Sequence, residues 1–259
     1  MGFESGDELR TIEIHALPGI PIVGKGVDLA KVIADSARRA GVDLEDGDII
    51  AVSHTIVSRS EGMQVDLRTV VPTSEAESIA RETGKDPRHV EVILRESRRI
   101  LRVERGVIIC ETRHGLVCAN AGVDASNSGG ENFVVLLPRD PDHSAARIRD
   151  GIRRLTGKNV AVIICDTFGR PFRRGTVNVA IGCSGINPLW DRRGEKDLFG
   201  RKLISKITCV ADELASAAEL VMGQADEGMP VAIIRGYRYD PTDIPARDII
   251  RPPEENLFR

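Results

Sequence analysis

The stretch "ICDTFGRPFRRG" (164–175) sets a carboxylate and a hydroxyl, Asp166 and Thr167, at the end of an apolar run, with Arg170, Arg173 and Arg174 in the turn that follows. Short polar side chains at a strand end can reach a cation, and hard divalent cations take carboxylate, hydroxyl and carbonyl oxygens. Guanidinium forks bind phosphate or carboxylate in bidentate fashion. Read alone, the stretch is either a metal and polyanion site or a basic solvated loop whose Asp166 caps the turn. "NAGVDASNSGG" (120–130) offers a second acid, Asp124, with Ser126 and Asn127 beside it, in residue types that also make ordinary turns. Taken together, Asp124 and Asp166 form a candidate carboxylate pair for one or two metals. Such metals suit phosphoryl transfer because they neutralise charge on the transferring group.

Other polar clusters are less specific. Arg192 and Arg193 in "PLWDRRGEKDLFGRKL" could face an anion, but Asp191, Glu195 and Asp197 can pair with them on a solvated surface. "SHTIVSRSEG" places Thr55, Ser58, Arg59 and Glu61 after an expected strand as a polar rim. The Gly- and Pro-bounded loops "LPGIPIV" and "MGQADEGMP" can present backbone amides, yet neither matches a P-loop, and no GxGxxG follows a strand. No HxxxH pair, GxSxG elbow or Cys–His arrangement is visible, and His54, His114 and His143 stand isolated. From the residues, the chain reads as a metal-dependent enzyme handling phosphates. A phosphotransferase or phosphatase and a nucleotide-binding module without chemistry remain alternatives.

These groups need a scaffold, and 259 residues suffice to bury a substantial core as one large domain or two smaller ones. Aromatics make up only 3%, so that core must be built from Val, Ile, Leu and Ala. A net charge of −3 argues against bulk binding to nucleic acid or acidic membranes, so any polyanion must be held by a local cluster. Five cysteines without a CxxC pair read as reduced, buried thiols of a cytoplasmic protein. The N-terminus lacks an apolar signal core and no apolar run is long enough to span a membrane; "MGFESG" matches a myristoylation pattern loosely.

The patterning predicts strands at 11–17, from Asp48 to Thr55, at 106–112 paired with 115–120, after the loop that opens "AGVDASNSGGENFVVLLP", at 159–165, at 177–186 and at 229–237. Helices are expected over 27–41, 73–84, from Pro87 through 106, over 141–157 with Ala146, Ile148, Ile152 and Leu155 on its apolar face, and over 210–223 with Val210, Leu214, Ala217 and Val221 inward. Helix-strand units mixed with hairpins point to an α+β fold with mixed and antiparallel sheets and packed helices. One domain is expected over 1–100 with 205–259, and a second, carrying the metal-site motifs, over 101–204.

"GIPIV", "DGDIIAVSHTIVSRSEG", "NAGVDASN", "DTFGRPFRRGTVNVAIGCSGINPLWDRRGEKDLFGR", "VADELASAAELVMGQ" and "PVAIIRG" follow one another in this order. Over 12–237 they closely resemble the coenzyme F420-0:L-glutamate ligase family, the F420 gamma-glutamyl ligases. The resemblance implies GTP-dependent amide ligation. GTP phosphorylates a terminal carboxylate of the precursor, the amine of L-glutamate displaces phosphate, and γ-linked repetition carries F420-0 through F420-1 to longer tails. It also implies two Mn2+ or Mg2+ ions per active site, an assisting K+ and an intertwined homodimer; with so little sequence after "IIRGY", the fused C-terminal reductase domain that some bacterial relatives carry is expected to be missing.

Carried over by motif, Asp124, Asp166, Thr167 and Gln224 become metal ligands. Ile20, Pro21, Ile22, Val23, His54, Thr55, Asn127 and the loop Met222, Gly223, Gln224 to Met229 become GTP contacts. Arg59 stands where the family leads one to expect a lysine facing the nucleotide phosphates, and His54 replaces a smaller residue. Arg170 and Arg173 match the family motif, and with Arg174 they are read as facing the anionic precursor, completing a catalytic set with Asp124 and Asp166.

Overall fold

The structure, a computed structural model, describes residues 9–257; the "MGFESG" pattern lies outside them. Strand β1 (Glu13–Ala16) precedes the Pro- and Gly-rich loop, and helix α1 (Leu29–Arg39) starts where Asp28 accepts a hydrogen bond from the Lys31 N–H. Strand β2 (Ile49–Ser53) is shorter than expected. The Ser53 side chain accepts from Thr55 N, and "HTIVSRSE", expected to finish a strand and form a rim, turns into helix α2 (His54–Glu61). Ile56, Val57 and Ser58 are buried on its inner side, and Gly62, at φ 74°, ends it in the left-handed region.

Strand β3 (Gln64–Asp66) and helix α3 (Ser74–Thr83) follow, the helix capped by Thr73 and stopped by Gly84 as expected. Helix α4 (Pro87–Glu96) does not continue to 106. Strand β4 (Ser97–Glu104) follows it and pairs with β5 (Val107–Thr112) across Arg105 and Gly106, both at positive φ. The misreading has a physical source. Register shifts between Ser97 and Arg99 and between Ile100 and Arg102 leave Ser97, Ile100 and Val103 as the half-buried positions, a three-residue spacing that imitates a helix.

Strand β6 (Val117–Ala119) extends the β4–β5 sheet and β7 (Phe133–Val135) pairs with β3. Helix α5 (Pro141–Thr156) is capped by Asp140 and ended by Gly157, although Leu155 on its expected inner face is exposed. Strands β8 (Ala161–Gly169) and β9 (Thr176–Ser184) form a hairpin, so β8 runs four residues past its expected end. Strands β10 (Leu189–Asp191) and β11 (Ile207–Cys209) pair with each other. Helix α6 (Val210–Met222) buries Ala211, Ala215, Ala218 and Met222 with Val210 and Leu214, a face rotated from the expected one, and β12 (Val231–Arg235) completes the order.

The central sheet runs β1-β12-β2-β8-β9, with only β2 and β8 parallel. It therefore joins strands from both segments expected as separate domains. Ile50, Val162 and Ile164 face α1 and α5, where Ile33 and Ile152 meet them; Ile49, Ile163 and Ile234 face Ala211, Ala215 and Ala218 of α6. Every strand between the edges is thus covered on both sides, which explains its unbroken apolar sequence. The outer edge of β9 is satisfied by side chains of α6: Asn178 N donates to Glu219 (2.8 Å), Ala180 N to Asp212 (2.9 Å), and Ser216 Oγ to Asn178 O (2.7 Å). A third core packs α3 and α4 against the smaller sheets. The architecture is α+β with mixed sheets, as expected.

Candidate active site

Strand β2 ends at Ser53, level with Cys165 of β8, and the β8–β9 hairpin continues beyond it. Asp166 and Thr167 lie on this projecting part, and the two-residue alternation of a strand sends them to opposite sides. Asp166 meets the first turn of α2: His54 Nε2 is 3.2 Å from its Oδ1, which also accepts from Thr167 N at 2.7 Å. Thr167 turns toward the loop after α6. Its hydroxyl lies 2.8 Å from Asn178 Oδ1 and 2.8 Å from Gln224 Oε1. One hydroxyl proton cannot serve both carbonyl oxygens, so the cluster is richer in oxygen lone pairs than in protons.

Asp124 is delivered by a tight turn. Asn120, Ala121 and Gly122 all have positive φ (53°, 54° and 70°), and a Cβ on Gly122 would come within 2.7 Å of Leu137, so glycine is required there. The Asp124 backbone bridges to Val135, and its carboxylate accepts from Ser126 N (2.8 Å) and Ser126 Oγ (2.5 Å). His54, isolated in sequence, is nearly fully buried beside Asp166. Burial disfavours its imidazolium, but the charges of Asp166 and Asp124 outweigh that and hold the ring above the ordinary histidine value.

One cleft of about 840 Å³ gathers these groups, within the size range of small-molecule sites. Ile20, Pro21, Ile22, Val23, His54, Thr55, Arg59, Asp124, Asn127, Asp166, Thr167, Met222, Gly223, Gln224 and Met229 all line it. Arg59 ties its walls together: Nε donates to Val23 O (2.9 Å) and Nη1 to Asn127 O (3.0 Å), while Asn127 Nδ2 donates to Ala225 O (3.1 Å). Three loops distant in sequence are linked through these two side chains.

Arg170, Arg173 and Arg174 are not in the cleft wall. They occupy the hairpin tip, where Arg170 Nη2 folds back onto Arg174 O (2.9 Å) and Phe172, at φ 63°, is 94% exposed. Arg192 stacks on Trp190 and pairs with Glu195, and Arg193 pairs with Asp191, so that cluster is a paired surface.

Asn178 and Cys118 also line the cleft and had no role in the sequence reading. The available signal for Asn178 was a lone carboxamide within the apolar run "TVNVAIG". Burial, helped by the Asp166 charge, pushes the Cys118 thiol up to about 12, and Cys165 likewise to about 12, so neither is a thiolate nucleophile at neutral pH.

Among the described residues no three His, Cys, Asp or Glu side chains gather into a metal cage. Two carboxylates, a hydroxyl and a carboxamide oxygen instead line the same cleft, a hard-oxygen set that fits Mg2+ or Mn2+ when substrate phosphates supply the remaining ligands.

A sequence profile of the F420-0:gamma-glutamyl ligase family matches residues 19–236. The chain belongs to this family. The ligase family's matched span includes every cleft residue named above. The chain is 50% identical over 250 residues to the coenzyme F420:L-glutamate ligase of Methanothermobacter thermautotrophicus, covering 96% of this chain and 99% of that protein. To the ligase of the same name from Methanocaldococcus jannaschii it is 49% identical over 254 residues, covering 97% and 98%. For the Methanopyrus kandleri ligase the identity is 51% over 255 residues, covering 97% and 99%.

Proposed function

We propose that the chain is a GTP-dependent ligase that joins L-glutamate to F420-0 and then extends F420-1 through γ-linkages. The observation that carries the proposal is the splitting of the cleft's oxygen donors by β8: Asp166 beside His54 on one side, Thr167 with Gln224 on the other, with Asp124 in the same cleft. Two donor groups suit two cation positions. Divalent ions there, Mn2+ or Mg2+, with K+ assisting, would neutralise phosphate charge during transfer. Ile20–Val23, Thr55, Asn127 and the 222–229 loop provide the nucleotide's walls, with Arg59 holding them in register.

In this scheme the γ-phosphoryl group passes from GTP to the precursor carboxylate, giving GDP and an acyl phosphate. The glutamate nitrogen then attacks the acyl carbon, the C–N bond forms, and phosphate departs with its former acyl oxygen. Asp124 and Asp166 supply the fixed negative charge that holds the cationic part of the site. Arg170 and Arg173 follow Gly169, which lines the cleft, and on this reading they meet the anionic precursor.

Leu198, Phe199 and Ile204 are 100%, 95% and 87% exposed; this apolar surface supports assembly as a homodimer. We place the ligase in the cytoplasm, a reducing compartment that suits its five free cysteines.

The test incubates purified protein with Mn2+, GTP, F420-0 and L-glutamate. The expected product gains one glutamyl unit per GTP consumed, with GDP and phosphate released in equal amounts. Phosphate release that ignores the amine acceptor would instead make the protein a phosphatase or phosphotransferase, and no extension at all would sink the ligase reading.

A further inference from the structure

We infer that Asn178 is a positioning residue that sets the orientation of Thr167 and Gln224 as oxygen donors toward a divalent cation. The inference rests on the metal-dependent reading above and adds a residue to it. Asn178 is 4% exposed and sits directly opposite Thr167 in the β8–β9 register. Its Oδ1 accepts from the Thr167 hydroxyl (2.8 Å) and from Gln224 Nε2 (3.2 Å), while Nδ2 donates to Cys165 Sγ (3.6 Å). Its own backbone is held by α6, through Glu219 at the N–H and Ser216 at the carbonyl. One immobile carboxamide therefore joins a strand residue to a loop residue 57 positions away in sequence.

The consequence lies in where protons point. If the Thr167 proton goes to Asn178 Oδ1, none remains between Thr167 Oγ1 and Gln224 Oε1, which are 2.8 Å apart. Donation from Gln224 Nε2 to the same Asn178 oxygen fixes that amide with Oε1 toward Thr167. Two lone-pair-bearing oxygens are thus left facing each other, an arrangement that a cation between or beside them relieves. An apolar residue at 178 would free both side chains to rotate and let the hydroxyl proton turn to Gln224, quenching the pair. Groups that orient metal ligands typically matter by 10–100-fold in metal affinity.

The test is a Mn2+ titration followed by electron paramagnetic resonance, on the full chain with GTP present. Asn178→Ala should weaken Mn2+ binding about 10–100-fold, whereas Asn178→Asp, which keeps the shape and the acceptor oxygen, should bind within about threefold of the parent or more tightly. A purely structural role would lower the melting temperature of the Mn2+-free variants and leave the titration midpoint in place. Should Asn178→Ala fail to fold, the aspartate variant decides alone: a tenfold loss there overturns the inference. An alanine variant within twofold of the parent overturns it while the metal-dependent reading stands. A parent protein that takes up no Mn2+ overturns that reading and this inference together.

Discussion

Arg59 stands where the family resemblance led one to expect a lysine, and the difference is physical rather than nominal. Its planar fork reaches two carbonyls, Val23 O and Asn127 O, in different loops; a lysine ammonium is a single point donor on a flexible stem. Arg59→Lys keeps the charge but cannot span both carbonyls. The expected outcome is a rise of about tenfold in KM for GTP, the cost of roughly one charged hydrogen bond, with kcat changed much less. A fall in kcat with KM unchanged would show instead that Arg59 acts on the transferring phosphate. The candidate acids, the threonine and the basic tip were all visible in "NAGVDASN" and "DTFGRPFRRG", because those residue types carry their chemistry with them. The pairing of His54 with Asp166, and of Asn178 with Thr167 and Gln224, was not, since a single imidazole or carboxamide has no local signature until a distant element supplies its partner.

Among the elements, most helix bounds were legible and the register was not. The helices expected over 27–41, 73–84 and 141–157 begin within two residues of those bounds, where Asp28, Thr73 and Asp140 each satisfy an N–H three residues on, an interaction that acts locally. Helix α2 was missed because its cap, Ser53, is also the last residue of an apolar strand, and β4 was misread because its irregular pairing mimics helical spacing. Strand order depends on a longer-range tie. Asp48, 1% exposed just before β2, accepts from Arg235 at the end of β12 through two bonds of 2.8 Å, and Glu45 pairs with the same guanidinium at 2.7 Å. Arg235→Ala leaves the buried carboxylate without its cation and should cost about 3 kcal/mol, the lower end for such pairs, because Glu45 N still donates to Asp48. Asp48→Ala leaves a partly exposed guanidinium with Glu45 and should cost less. Urea unfolding of both variants measures the difference; equal losses would show that the pair is not the asymmetric contact described.

For the whole molecule, the exposed side chains Leu198, Phe199 and Ile204 lie between β10 and β11, with Leu220 85% exposed on α6. In a homodimer these would be covered by the second copy. The parent should elute and scatter light as a dimer of about twice the 28.2 kDa chain mass. The double substitution Leu198→Asp, Phe199→Asp should shift it toward monomer without changing its circular dichroism. A parent that is monomeric at high micromolar concentration would remove the dimer from the proposal.

The sequence by itself determined which residues could bear charge or bind a cation, where most helices begin and end, and that the mixture of elements is α+β. Those properties reside in single side chains and in short-range hydrogen bonds and spacing. Only the tertiary structure decided that β8 outruns β2, which places Asp166 beside His54 and Thr167 beside Asn178 and Gln224, and that the arginines of the same motif stand at a hairpin tip outside the cleft wall. Strand length and pairing are settled by neighbours far along the chain, and a one-residue change of register sends a side chain to the opposite face of the sheet.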